Sequence, residues 1–328
     1  MKTKINLLII SFLISLCSNA QQFYSNPFAH TFSIVARDSV TGEMGVAVQS
    51  HWFSVGSLVG WGEAGVGVIA TQSFVNPAYG PDGLKLLKEG KSPEEVVKIL
   101  TEADSGRDVR QLAVIDIKGR SASYTGKNCI QGAGNIADKN FSVQANLMLN
   151  DKVWPAMAKV FKETKGLLAE RMVASLEAGQ AAGGDIRGKQ SASILVVKAT
   201  SSGKVWEDRA IDLRVEDNPE PIVELKRLLK LFRAYEHMNA GDLYTEKNDM
   251  ANAMKEYGAA ESMYPENVEM KFWHAVTMVN KGKLEEALPL FKDVFAKDGN
   301  WKLLIPRLRK AGQLNCNDET EKKILNQK

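Results

Sequence analysis

Apolar residues alternate with small or polar ones over 31–36 (TFSIVA) and again over 44–48 (MGVAV), with the turn chemistry of Thr41-Gly42 between them. Period-two alternation on both sides of such a turn predicts a β-hairpin. Residues 64–71 (AGVGVIAT) form a continuous small and apolar run instead, the pattern of a strand buried on both faces. Gly65 and Gly67 in that run leave room for a second backbone or a ligand. Further strands are expected over 110–117 and 121–124, over 141–149, and over 191–198 and 205–213.

Between these runs the period lengthens to that of helices. Pro81 opens one, with Leu84, Leu86 and Leu87 on its apolar side and Gly90 as its stop. Ser92-Pro93-Glu94-Glu95 starts another, with an N-cap, a proline at the first helical position and two carboxylates against the helix dipole. Residues 153–162 and 167–182 read as two amphipathic helices. The order is strands, two helices, strands, two helices, strands, and hairpins link the strands. That order predicts an α+β fold in which two antiparallel sheets stack between helix layers, a four-layer αββα sandwich over 31–216.

Residues 217–221 (DNPEP) read as a linker, and 222–328 as an all-α module. A shift of 34 residues places Met250 on Leu284, Ala253 on Ala287, Tyr257 on Phe291 and Ala260 on Val294, the spacing of a tetratricopeptide-like repeat. Pro289 in the second unit predicts a local kink. Tyr244, Tyr257, Phe272 and Trp273 fall at helical spacing and are expected to pack. So short a solenoid points to a protein partner, or to contacts between copies of the chain in a homo-oligomer.

Composition sets the compartment and excludes some functions. Residues 1–20 carry Lys2 and Lys4, an apolar run and then Ser18-Asn19-Ala20, the pattern of a signal peptide cleaved after Ala20. An extension over 21–30 would remain, and the chain is expected to be periplasmic or secreted. With 42 basic and 39 acidic residues and no clustered basic excess, nucleic acid is not an expected partner. Cys129 and Cys316 fall in different modules and are expected to be free thiols. His30, His51, His237 and His274 show no ligand spacing, so neither a metal nor an organic cofactor is implied.

The phrases TFSIVARD, GVAVQSHWFSVG, AGVGVIATQSFVNPAYGPDGL, GRDVRQLAVID, FSVQANLMLND and AGGDIRGKQSASILVV, taken in order, closely resemble domain-of-unknown-function family 1028 over about 31–213. That family is similar in fold to the N-terminal nucleophile hydrolases. The resemblance implies Thr31 as nucleophile, attacking an amide with its own α-amine as base, because such an amine titrates near about 8. Cleavage of the His30–Thr31 bond would have to free that amine. A proteasome-type site has an aspartate after the second strand and a lysine on the next; here His51 stands near the first place, and residues 66–71 hold no lysine.

His51 is accordingly the candidate base for Thr31 from the neighbouring strand. Gln72, Asn76 and Tyr79 cluster where a buried strand leaves for a loop and a helix. Neutral donors and acceptors there can grip an amide, though the same residue types also cap loops. Gln144, Asn146 and Asn150 form a second amide-rich group, with Asn146 as the candidate oxyanion donor. Asp185 and Arg187 either orient site residues from a loop or close a turn. The favoured reading is hydrolysis of an amide bond in a small molecule or peptide. The alternative is a non-catalytic protein whose cleft holds an amide-bearing ligand and whose helices recruit a partner. A free Thr31 amine separates the two.

Overall fold

The structure, a computed structural model, describes residues 28–327. The expected signal peptide and most of the extension after it lie outside the described residues. The chain divides into one unit ending at Arg227 and a second running from Leu228. The helix Pro221–Glu246 opens on the last residue of the expected linker, and the division falls within it.

Eleven strands are described in the first unit: β1 (Phe28–Ala29), β2 (Thr31–Arg37), β3 (Met44–Ser50), β4 (Gly60–Glu63), β5 (Gly67–Phe74), β6 (Arg110–Asp116), β7 (Ser121–Thr125), β8 (Gly134–Asp138), β9 (Phe141–Ala145), β10 (Ser191–Val197) and β11 (Arg209–Val215). They form two antiparallel sheets. The six-stranded sheet has the order β11-β10-β3-β2-β9-β8; the five-stranded sheet has the order β1-β5-β6-β7, with β4 also paired to β5. The expected hairpin is β2–β3, with Thr31 opposite Ser50 and Arg37 opposite Met44. Its turn is held by Asp38, whose Oδ1 accepts the backbone N–H groups of Val40 and Thr41 at 2.8 Å each.

Strand alternation sends one set of side chains between the sheets and the other outward. Val35, Val46 and Val48 meet Val68, Ala70, Ala113 and Ile115 in the inter-sheet layer. On the outer face of the five-stranded sheet, Ile69, Leu112 and Val114 pack on Tyr79, Leu84, Val96 and Leu100 of the helices Tyr79–Lys88 and Pro93–Ala103. The second of these has the full capping box, Ser92 and Glu95 each accepting the other's backbone N–H. The helices Val153–Glu163 and Leu168–Ala181 cover the six-stranded sheet. Gly179 lets the latter close in, since a Cβ there would lie 3.2 Å from Phe32 and 2.9 Å from Met157.

The differences from expectation have local causes. The run 64–71 splits because Gly65, at φ +72°, turns the chain between β4 and β5. The strand expected over 141–149 stops at Ala145, and Leu147 at φ +61° breaks the extended backbone. The strand expected from 205 opens as a helical turn, Val205–Asp208, with Val205 and Trp206 exposed, so β11 starts at Arg209. β1 and β4 are too short to show an alternation of their own, and β8 runs from half-buried to exposed with no apolar face to alternate.

In the second unit the helices Met250–Met263 and Leu284–Lys297 begin 34 residues apart and bury the matched positions, Ala253, Tyr257 and Ala260 in one and Ala287, Phe291 and Val294 in the other. Tyr257 stacks on His274 at 4.7 Å, and a Cβ at Gly241 would lie 2.6 Å from its ring. Pro289 lies inside a helix that continues to Lys297. Among the described residues no helix is long and apolar enough to cross a membrane.

Gly80, in the first turn of its helix, faces the Trp61 ring, which is anchored by its Nε1–H on Leu58 O at 3.0 Å. A Cβ at Gly80 would fall 2.3 Å from that ring. Ala in a helix gains about 1 kcal/mol over Gly, while overpacking costs about 1–3 kcal/mol. Because the contact is so short, Gly80→Ala is expected to destabilise the first unit by a net ~1–2 kcal/mol, read from urea midpoints at unchanged slope.

Candidate functional site

The inter-sheet layer is apolar along most of its length and turns polar at one end. The parity that points Val35 inward also points Ser33 and Thr31 inward; Val68 and Ala70 share their face with Gln72, and Ile115 and Ala113 share theirs with Gln111. Ser33 Oγ donates to Gln72 Oε1 at 2.6 Å and accepts from Gln144 Nε2 at 2.5 Å. Gln72 Nε2 donates to Gln111 Oε1 at 2.6 Å and to Thr31 O at 3.1 Å. Asn146 Nδ2 reaches the same Gln111 oxygen at 2.9 Å, and Gln111 Nε2 donates to Ala145 O at 2.9 Å. All of these side chains are fully buried. Leaving one such group unpaired costs about 1–3 kcal/mol, so the network fixes the orientation of every amide in it.

One acceptor is left over, and it faces the side chain of His30, the residue ahead of Thr31. Asn146 Oδ1 lies 2.7 Å from His30 Nδ1, which therefore carries the proton. The chain crosses from one sheet to the other at this residue: Ala29 pairs with Ser73 on β5, and Thr31 pairs with Ser50 on β3. His30 is 3% exposed, and its ring meets Phe74 edge-on at 5.5 Å. Its carbonyl oxygen accepts two hydrogen bonds, from Ser50 Oγ at 2.6 Å and from Arg187 Nη2 at 2.8 Å.

Arg187 is held by Asp185, with Nε on Oδ1 at 3.0 Å and Nη2 on Oδ2 at 2.7 Å. The Asp185 carboxylate is fully buried. It also accepts the backbone N–H groups of Arg187 and His51, and β-bridge pairing ties Asp185 to Met148. Gly183 and Gly184, at φ +133° and +61°, make the sharp turn that aims this pair at His30. Thr31 Oγ1 donates to Ala29 O at 2.6 Å. Burial holds the His30 imidazole below its ordinary pKa against the Asn146 hydrogen bond, and the Arg187 cation adds to the lowering.

Thr31, Gln72, Gln144 and Asn146 thus come together. His51 does not join them: Ser50 points inward, so the next side chain points away, and His51 is exposed with only its backbone N–H reaching Asp185. Asn76 and Tyr79 belong to a separate group around Asp104, which accepts from Tyr79 OH at 2.8 Å, Arg110 Nε at 2.9 Å and Asn76 Nδ2 at 3.5 Å. Burial and the Asp104 carboxylate push the Tyr79 hydroxyl well above its usual pKa. Asn150 donates to Ala182 O at 2.9 Å and lines an open groove of about 1010 Å³ with Cys129, Leu147 and Ile186. Burial raises the Cys129 thiol pKa, and Lys127 pairs with Asp108 at 3.0 Å.

Sequence reasoning passed over Ser33 and Gln111 and left the role of Asp185 and Arg187 open. A signal for the first two existed, since Gln111 is the lone polar residue at the inward parity it shares with Ala113 and Ile115, and Ser33 shares its inward parity with Thr31 in a strand that is apolar from Ile34 to Ala36. Nothing in the spacing tied Arg187 to His30, 157 positions away.

Two antiparallel sheets between helix pairs define the class of the first unit, an αββα sandwich with a threonine at the head of an inner strand. The chain belongs to the family of unknown function DUF1028, whose model matches residues 31–225. It is similar to the crystal structure of protein SPO2555 from Silicibacter pomeroyi, of the same family model. The two are 31% identical, with a TM-score of 0.56, over 62% of this chain and 85% of that one. No curated protein matches the chain. The family match starts at Thr31, so His30 and β1 lie upstream of it.

The docked His30 segment is expected to loosen in acid. A folded-state pKa below the undocked value of about 6.5 means that the undocked ring binds the extra proton. Docking is therefore fully stable above about pH 6.5 and weakens as pH falls from there toward the docked value. Hydrogen exchange at residues 29–31 of the uncleaved chain, corrected for its intrinsic pH dependence, should show protection falling as pH drops below about 6.5, and His30→Phe should remove that dependence.

Proposed function

We propose that this chain is an amide-bond hydrolase of the N-terminal nucleophile type, and that it first cleaves its own His30–Thr31 bond. One observation carries the reading: the carbonyl ahead of Thr31 is gripped by a hydroxyl and by a guanidinium fixed on a buried carboxylate. Those are the donors that a developing oxyanion requires, and a single such donor is worth about 100- to 1000-fold in rate. Thr31 Oγ attacks the His30 carbonyl carbon, the oxygen takes negative charge between Ser50 and Arg187, and the C–N bond breaks as the threonine nitrogen takes up the proton. The resulting ester is hydrolysed by water, leaving a carboxylate on the upstream peptide and a free amine on Thr31.

That amine is the general base for later substrates, and the neighbouring Arg187 cation favours its neutral form. In this proposal Gln72 and Gln144 set the position of Asn146 and Thr31, and the substrate is an amide in a peptide or small molecule. Removal of a signal peptide after Ala20 would place the reaction outside the cytoplasm, and the helical unit would recruit a partner. A second reading, a binding protein without chemistry, is favoured by one feature: Thr31 is buried and its hydroxyl is engaged with Ala29 O.

Intact-mass measurement on the exported protein separates them. A chain starting at Thr31 is expected, with Thr31→Ser also processed, Thr31→Ala uncleaved and Arg187→Met slowed about 100-fold. A wild-type chain that keeps His30 leaves the binding reading.

A further inference from the structure

The self-cleavage proposed above has a chemical corollary on which the substrate class turns. Attack by Thr31 Oγ on the His30 carbonyl carbon forms the C–O bond, breaks the C–N bond and moves one proton to nitrogen. The product is an ester between the Thr31 oxygen and the His30 acyl group. An acyl-enzyme formed on any later amide is the same kind of ester at the same oxygen. Water then ends both in the same way, giving a carboxylic acid and the free hydroxyl. The space around the His30 side chain is therefore the space in which an acyl group sits during turnover.

That space has a specific chemistry. Its floor is Asn146 Oδ1, 2.7 Å from His30 Nδ1. The Asn146 amide cannot turn over to offer a donor, because its Nδ2 is held by Gln111 Oε1 at 2.9 Å and that oxygen is fixed in turn by Gln72 Nε2 at 2.6 Å. One wall is the Phe74 ring, which meets the imidazole edge-on at an interplanar angle of 83°. The Asp185–Arg187 pair stands beside the carbonyl. The backbone upstream is paired to β5, Ala29 opposite Ser73, so an extended peptide fits ahead of the acyl residue.

From this geometry we infer that the mature site hydrolyses peptide amides whose acyl residue has a planar side chain with an N–H donor, histidine above all, preceded by an extended segment paired along β5. The inference rests on the N-terminal nucleophile reading of Thr31. A leucyl or phenylalanyl acyl group fills the volume and leaves Asn146 Oδ1 buried without a donor, and sites that hydrogen-bond a substrate N–H discriminate strongly against analogues lacking it. The peptide released in self-cleavage, ending in Phe28-Ala29-His30, should itself occupy the pocket as a product inhibitor.

The test uses the processed wild-type protein and three fluorogenic amides, acetyl-Phe-Ala-X-aminomethylcoumarin with X as His, Phe or Leu. The expected kcat/KM for His exceeds those for Phe and Leu by about 10- to 100-fold, and acetyl-Phe-Ala-His carboxylate inhibits competitively. Equal or better hydrolysis of the Leu substrate overturns this inference alone and leaves Thr31 as nucleophile. No hydrolysis of any of the three by a chain beginning at Thr31, or a chain that never reaches that start, overturns the underlying reading and this one with it. The chain's own bond gives an independent check: His30→Leu should self-cleave at least about tenfold more slowly, and an unchanged rate contradicts the pocket.

Discussion

Leaving a buried amide unpaired costs about 1–3 kcal/mol, and the pairing of five buried polar side chains pins the two sheets of this protein together at one end. Gln72 and Gln111 come from the five-stranded sheet; Ser33, Gln144 and Asn146 come from the other. No one sheet can satisfy its own members. Hydrophobic packing sets the spacing of the layers elsewhere, but it is indifferent to small slides of one sheet over the other. The amide network is not indifferent, because a shift of about 1 Å takes hydrogen bonds out of range. The position of Asn146 Oδ1, and through it of His30 and of the bond ahead of Thr31, follows from that constraint.

Against this rigid frame the Asp185–Arg187 pair is delivered separately, by a loop turned on two glycines and tied to Met148. A buried carboxylate is costly unless paired, and here it is saturated by a bidentate guanidinium and two backbone N–H groups. What remains free on Arg187 is directed at the His30 carbonyl. The site thus has a neutral half that positions and a charged half that polarises.

Much of the fold was legible in the sequence because its cause is local. Alternation over β2 and β3, the capping box at Ser92 and the 34-residue recurrence of buried positions each depend on neighbours within a few turns of chain. β1 and β4 were not legible, since two and four residues carry too little periodicity and both exist by pairing with β5. In the site, Thr31 was read from the family resemblance, and Gln72, Gln144 and Asn146 from residue type and their place along the strands; the structure brings the four together. His51 was placed beside Thr31 because it stands at the end of the neighbouring strand, near the place of the aspartate in a proteasome-type site, but strand parity turns its ring outward. The contribution of Arg187 depends on a loop reaching across the fold, which no spacing rule encodes.

The account stands or falls on Thr31 Oγ as the atom that attacks. A β-lactone probe tests this directly, because its strained acyl carbon is opened only by an activated nucleophile and the acyl group stays attached. Digestion and fragment mass analysis of the treated, exported protein should find one adduct, an ester on a peptide whose first residue is Thr31. An unmodified Thr31 peptide with the label on Cys129 or another residue, or no label at all, contradicts the account.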